Sequence, residues 1–209
     1  MPGAAVMAAV PAAAGFFGKI PARGDFVRAG LPRGFVDPWD EWLQRVIAGS
    51  RAVLGPRWLA AWMEAPIWHF ALPEGQCGPA PVLGLWMPSV DAAGRHFPLT
   101  LARVGTLPAD PERWLAAAEA IGLDALQDDL APEEIARRLA ALPDDAGARP
   151  APSMAQWWSD GSPFVAAARH ALCELPDAAA FAAMLHDMPD CDAADQPNCP
   201  PGAGGVREP

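Results

Sequence analysis

Ser89, Asp91 and His96 fall within one short segment, MPSVDAAGRHFPLT, residues 87–100. These are the residue types of a nucleophile, an orienting acid and a general base. Val82–Val90 and His96–Val104 are apolar runs joined by Asp91-Ala-Ala-Gly94, so the segment predicts a β-hairpin. With Ala92-Ala93 as the turn centre, Ser89 faces His96 across the strands and Asp91 lies on the face of Ser89. A hydrolase using Ser89, His96 and Asp91 is one expectation. Ordinary turn chemistry is the preferred alternative, because these polar types solvate a wet hairpin end. The segment also has no strained nucleophile elbow and no evident oxyanion hole. No catalytic residue is assigned.

A second segment, GFFGKIPARGDFVRAGLP at 15–32, places Lys19, Arg23 and Arg28 in a loop, with Arg33 just beyond and Asp25 among them. Glycines and prolines punctuate it. The whole chain carries a net charge of −10, so a cationic loop on it suggests a surface that meets a partner. Lys19, Arg23, Asp25, Arg28, Arg33, Ser89, Asp91, Arg95 and His96 are the candidate partner-binding residues, with Asp25 and Arg95 expected to pair and tie the two segments together. Arg23-Gly24-Asp25 also spells an adhesion tripeptide, which three residues produce readily by chance.

Other chemistry has weaker support. Asp128/Asp129, Glu133/Glu134 and Asp144/Asp145 sit near helix starts or in loops, where helix dipoles and solvation account for them. His69 lies in an apolar run and reads as a core residue. The four cysteines have no CxxC spacing, so no metal site is assigned and reduced thiols are expected. No cofactor is expected; neither a Rossmann fingerprint nor a P-loop occurs. The nine Trp residues read mainly as core, with a Trp-lined slot for a small ligand or nucleotide as a further alternative.

Composition narrows the partners. Residues 1–105 carry nine Lys and Arg against seven Asp and Glu, whereas residues 106–209 carry six against eighteen. An acidic chain repels polyphosphate, which argues against nucleic acid. No run approaches the roughly 20 apolar residues that span a bilayer. Residues 1–14 lack the cationic start of a signal peptide. A cytoplasmic location is expected.

The elements that must position these residues alternate. Gly15–Ile20 predicts a strand. Asp37-Pro38 predicts a helix start, with Trp39, Trp42, Leu43, Val46 and Ile47 on one face. Trp58 and Trp62 mark a second short helix. Strands are predicted at 66–72, 82–90, 96–104 and 153–158. Asp110-Pro111 and Ala131-Pro132 open further helices, and two helical pieces are predicted at 163–173 and 177–187. The expected fold is α/β: a mixed, partly antiparallel central sheet flanked by helices, like an αβα sandwich. The expected organisation is a flexible extension at 1–14, one domain at 15–188 and a disordered acidic, Pro-rich tail at 189–209.

The ordered set of GFFGKIPARGDFVRAGLP, DPWDEWLQ, APIWHFAL, MPSVDAAGRHFPLT and a double-Trp strand before a Leu-Pro-(x)n-Phe helix resembles the TagF family of type VI secretion-associated proteins. The matching positions include Lys19, Pro21, Gly24, Asp25, Phe26, Pro88, Ser89, Asp91, Gly94, Arg95, Phe97 and Pro98. The resemblance spans about 15–188. It implies a mixed α/β sandwich in a cytosolic, non-enzymatic protein that holds type VI secretion in check after translation. It implies a forkhead-associated scaffold protein of the secretion apparatus as the partner. Some members carry a fused phosphatase domain that opposes threonine phosphorylation; this chain is too short to contain one. The resemblance brings no catalytic residues.

Overall fold

The computed structural model describes residues 12–128, 130–143 and 149–187. Seven strands form one sheet: β1 (Ala13–Gly18), β2 (Val27–Ala29), β3 (Trp68–Leu72), β4 (Val82–Met87), β5 (Leu99–Val104), β6 (Ala155–Ser159) and β7 (Ala168–Leu172). Their spatial order is β2-β1-β5-β4-β3-β6-β7, and each neighbouring pair is antiparallel. The expected mixed α/β class holds, with the sheet antiparallel throughout.

Strand alternation sends one set of side chains to each face. Trp68, Phe70, Leu72, Trp86, Ala102 and Trp157 pack with helices α1 (Arg33–Leu54), α2 (Trp58–Glu64) and α5 (Ala178–Leu185). Phe16, Leu83, Leu85, Met87, Leu99 and Leu101 pack with α3 (Pro111–Gln127) and α4 (Pro132–Ala140). The result is three layers, helix–sheet–helix. Trp157 and Trp158 follow the rule, Trp157 in the first cluster and Trp158 against the second.

Several boundaries differ from expectation. Helix α1 starts at Arg33 with Pro32 at its N-cap, so Asp37-Pro38 lies inside it. Phe35 and Val36 belong to the same buried stripe as Trp39, and Phe35 stacks on Trp39 at 5.4 Å. Burial of these two side chains extends the helix past the local start signal. Strand β2 falls in the segment read as loop. It pairs with β1 so closely that a Cβ on Gly15 would lie 2.1 Å from the Ala29 carbonyl oxygen. Strand β1 takes in Ala13 and Ala14, which the sequence assigned to the extension.

The segment 163–173 is not helical. It holds edge strand β7, in register with β6 through Trp157↔His170 and Trp158↔Arg169. His170 stacks on Trp68 at 5.8 Å, and the Arg169 guanidinium lies 5.2 Å from the Trp158 ring. Cross-strand aromatic pairing outweighs the helix propensity of this Ala-rich run. Cys77 is a buried free thiol, raised to about 12 by burial. Cys173 is disulfide-bonded, which departs from the expectation of reduced thiols. Residues 1–11 of the expected extension, 144–148 of the expected loop and the tail at 189–209 lie outside the described residues.

Among the described residues, no helix is long and apolar enough to cross a membrane.

Candidate functional site

The hairpin between β4 and β5 ends in a three-residue loop. Gly94 N–H donates to the Asp91 carbonyl at 2.9 Å, and Gly94 has φ of +77°. Left-handed backbone at that position completes a type I turn plus bulge, a form that glycine takes without strain. The extra residue shifts the pairing by one. Val90 opposes His96, and Phe97 N–H donates to the Ser89 carbonyl. His96 therefore leaves the ribbon on the side opposite Ser89. The Ser89 hydroxyl donates to the Lys19 carbonyl at 2.8 Å. The His96 ring sits edge-on to Trp58 at 5.4 Å and to Trp62 at 6.2 Å. The Ser89–His96–Asp91 arrangement considered for a hydrolase does not form.

Asp91 instead holds a corner together. Its carboxylate, fully shielded from solvent, accepts from the Lys19 ammonium and from Arg95 Nε at 2.8 Å. It also accepts from the backbone N–H groups of Ala93 and Arg95, both at 2.9 Å. Burial alone raises this carboxyl; the hydrogen bonds from Lys19, Arg95 and Ala93 outweigh it and hold the group well below the usual carboxylate range. Arg95 reaches on to donate through Nη2 to the Gly24 carbonyl. Ala92 N–H donates to the Arg23 carbonyl at 3.1 Å. The loop after β1 and the β4–β5 turn are thus bolted side by side.

An aromatic cluster underlies the bolt. Phe26 stacks on Phe17 at 5.6 Å and meets Phe97 edge-on at 4.7 Å. The Lys19 ammonium lies 4.9 Å from the Phe26 ring centre. Phe26 still exposes 48% of its surface.

The nine candidate residues divide into three groups. Arg23, Asp25, Arg28, Arg33 and Arg95 are exposed, but Arg33 opens α1 beside the loop that precedes β4, at the end of the sheet opposite the corner, and does not join it. Lys19, Ser89 and Asp91 are buried, so they form the floor of the corner and present nothing to a partner. A lysine and an aspartate can be buried here because each satisfies the other. His96 is half-buried. Burial lowers its imidazole below the ordinary value and Arg51 pushes the same way, while Asp91 opposes both. The expected Asp25–Arg95 pair does not form; Arg95 spends its guanidinium on Asp91 and Gly24.

Sequence reasoning assigned Phe26, Arg51, Trp58 and Trp62 no part in this corner. The Arg51 guanidinium covers Trp58 at 3.7 Å, and the Trp62 indole donates to the Ser89 carbonyl at 3.2 Å. The four-residue spacing of Trp58 and Trp62 signalled a shared face, but not that His96 caps it. A groove of about 460 Å³ lies beside them, walled by Pro21, Trp62, Met63, Pro88 and Leu126. Trp62 is fully buried behind it, and most other Trp side chains are sealed in the core.

The corner can recognise charge and shape. An exposed cationic rim stands on a fixed floor, with a half-exposed phenyl ring within it.

Comparison with known proteins identifies the family and the fold. The TagF N-terminal domain, described as type VI secretion system-associated, matches residues 15–142. That span begins in β1 and includes the whole corner. Comparison with curated proteins finds no match. Among solved structures, the chain is similar to PA0076 from Pseudomonas aeruginosa PAO1, with 32% identity and a TM-score of 0.75 over 90% of this chain and 100% of that one. With its family-wide match and this shared fold, the chain belongs to the TagF family of type VI secretion-associated proteins.

Proposed function

We propose that the protein restrains type VI secretion after translation, without catalysis, by docking its latched corner on a forkhead-associated scaffold component in the cytoplasm. The observation that carries this reading is the corner itself. Arg23, Arg28 and Arg95 are exposed, while Lys19, Ser89 and Asp91 are buried and fully engaged. Preorganised charge lowers the ordering cost of association and steers encounter with an acidic surface. The polar groups that a hydrolase would need are spent on structure.

Overproducing the protein in its host tests the reading at the level of secretion. Export of proteins by type VI secretion should fall several-fold while the cellular amounts of the apparatus components stay constant. Unchanged export, or a matching loss of the components themselves, contradicts a restraint that acts after translation.

A further inference from the structure

Phe26 closes the loop of the corner and immediately precedes β2. Its ring exposes 48% of its surface, yet it is clamped. Phe17 stacks on it at 5.6 Å, Phe97 meets it edge-on at 4.7 Å, and the buried Lys19 ammonium lies 4.9 Å from its centre. Phe97 is itself fixed, through its N–H, to the Ser89 carbonyl. The loop that carries Phe26 is pinned as well, at the Arg23 carbonyl by Ala92 and at the Gly24 carbonyl by Arg95. Among the described residues, Phe164 is the other exposed phenyl, and it stacks only on His186. A ring whose rotamer is already set loses little freedom on association, and rigid aromatic surface of this kind dominates the energy of protein interfaces.

Charge surrounds the ring. Arg28 pairs with Phe17 in register, so it stands on the sheet face where Phe17 and Phe26 stack. Arg23 is in the same loop, and Arg95 is tied to Gly24, two residues before the ring. These three exposed arginines face one exposed carboxylate of the loop, Asp25. The Lys19 ammonium is already matched by Asp91. The complement of this surface is an apolar recess with carboxylates on its rim. An anionic bilayer would supply the charge. A single ring, half covered and clamped by its neighbours, offers little to insert into it, which favours a protein over a lipid surface.

We propose that Phe26 is the apolar anchor of the interface, an inference that rests on docking at this corner. The ring fills a recess on the partner protein, and Asp or Glu side chains on the rim of that recess meet Arg23, Arg28 and Arg95. The arginines steer the encounter and the ring holds the complex.

Calorimetric titration of the purified forkhead-associated scaffold protein with the full chain, at several temperatures and two salt concentrations, separates anchor from rim. Phe26→Ala is expected to bind at least about tenfold more weakly. Its heat-capacity change of binding should be less negative than that of wild type, because less apolar surface is buried, and its salt dependence should be unchanged. Arg28→Glu should show the reverse pattern, a wild-type heat-capacity change and a reduced salt dependence. Circular dichroism checks that each variant is folded; if Phe26→Ala is not, Phe26→Leu takes its place, with a smaller loss in the same direction. Equal affinity in wild type and a folded Phe26 variant overturns the anchor and leaves docking by charge standing. A weakened Phe26 variant that keeps the wild-type heat-capacity change assigns the ring to support of the latch and also overturns it. Failure of wild type to bind the scaffold overturns docking at the corner, and the anchor with it. Binding of wild type to phosphatidylglycerol vesicles in place of the scaffold has the same consequence.

Discussion

Asp91→Ala is expected to lower the Tm by about 10 °C and to abolish partner docking with it. The substitution leaves the buried Lys19 ammonium without its counter-ion. It strips the turn N–H groups of Ala93 and Arg95 of their acceptor, and it releases the Arg95 guanidinium that ties Gly24 to the hairpin. Asp91→Asn keeps an acceptor and the side-chain shape, so its loss should be smaller. The pH dependence has a definite sign. The folded-state carboxyl titrates below its ordinary value of 3.8, so its stabilisation is complete above that value and fades as pH falls below it. The Tm difference between wild type and Asp91→Asn should therefore be constant near neutrality and shrink below about pH 4. Thermal scans followed by circular dichroism at several pH values provide the check. A difference that widens on acidification contradicts the latch.

Trp39→Ala is the second large effect, an expected loss of about 3–5 kcal/mol measured by urea denaturation. The Trp39 ring is fully buried and contacts Phe35, Trp42, Phe70 and Trp157, with centroids 4.6–6.2 Å away. Its indole donates to the Thr100 hydroxyl at 3.0 Å, joining α1 to β5. Trp39→Phe retains most of the ring packing and loses that hydrogen bond, with an expected cost of about 1–3 kcal/mol. A loss under about 1 kcal/mol for Trp39→Ala would place the organising centre of this layer elsewhere.

Much of this architecture was legible in the sequence because its signals are local. Asp110-Pro111 and Ala131-Pro132 mark the starts of α3 and α4, and the Asp110 side chain accepts from Arg113 N–H as an N-cap should. What escaped depends on partners distant in the chain. Strand β7 is an Ala-rich segment that becomes extended because β6 offers it an edge. Strand β2 exists because Gly15 permits close approach to β1.

The candidate site shows the same division. That the two motif segments carry matched polar residues could be read directly. Which of those residues face water could not, because it turns on a single residue of hairpin register. Reading the turn as two residues sets Ser89 against His96; the left-handed Gly94 makes it three, and the hydroxyl goes to the Lys19 carbonyl instead. Asp25 and Arg95 have opposite charges on neighbouring loops, yet the buried Asp91 carboxylate is the nearer acceptor for Arg95.

The direct test of docking at the corner is a titration of the purified forkhead-associated scaffold protein with wild type and with the Arg23→Glu, Arg28→Glu double variant. Both side chains are exposed, and Arg23 meets the latch only through its backbone carbonyl, which the substitution keeps, so thermal stability should stay within about 0.5 kcal/mol of wild type. The account predicts that wild type binds and that the double variant binds at least about tenfold more weakly, with the difference diminishing as salt is raised. Equal affinity of the two proteins for the scaffold, with both fully folded, would contradict it.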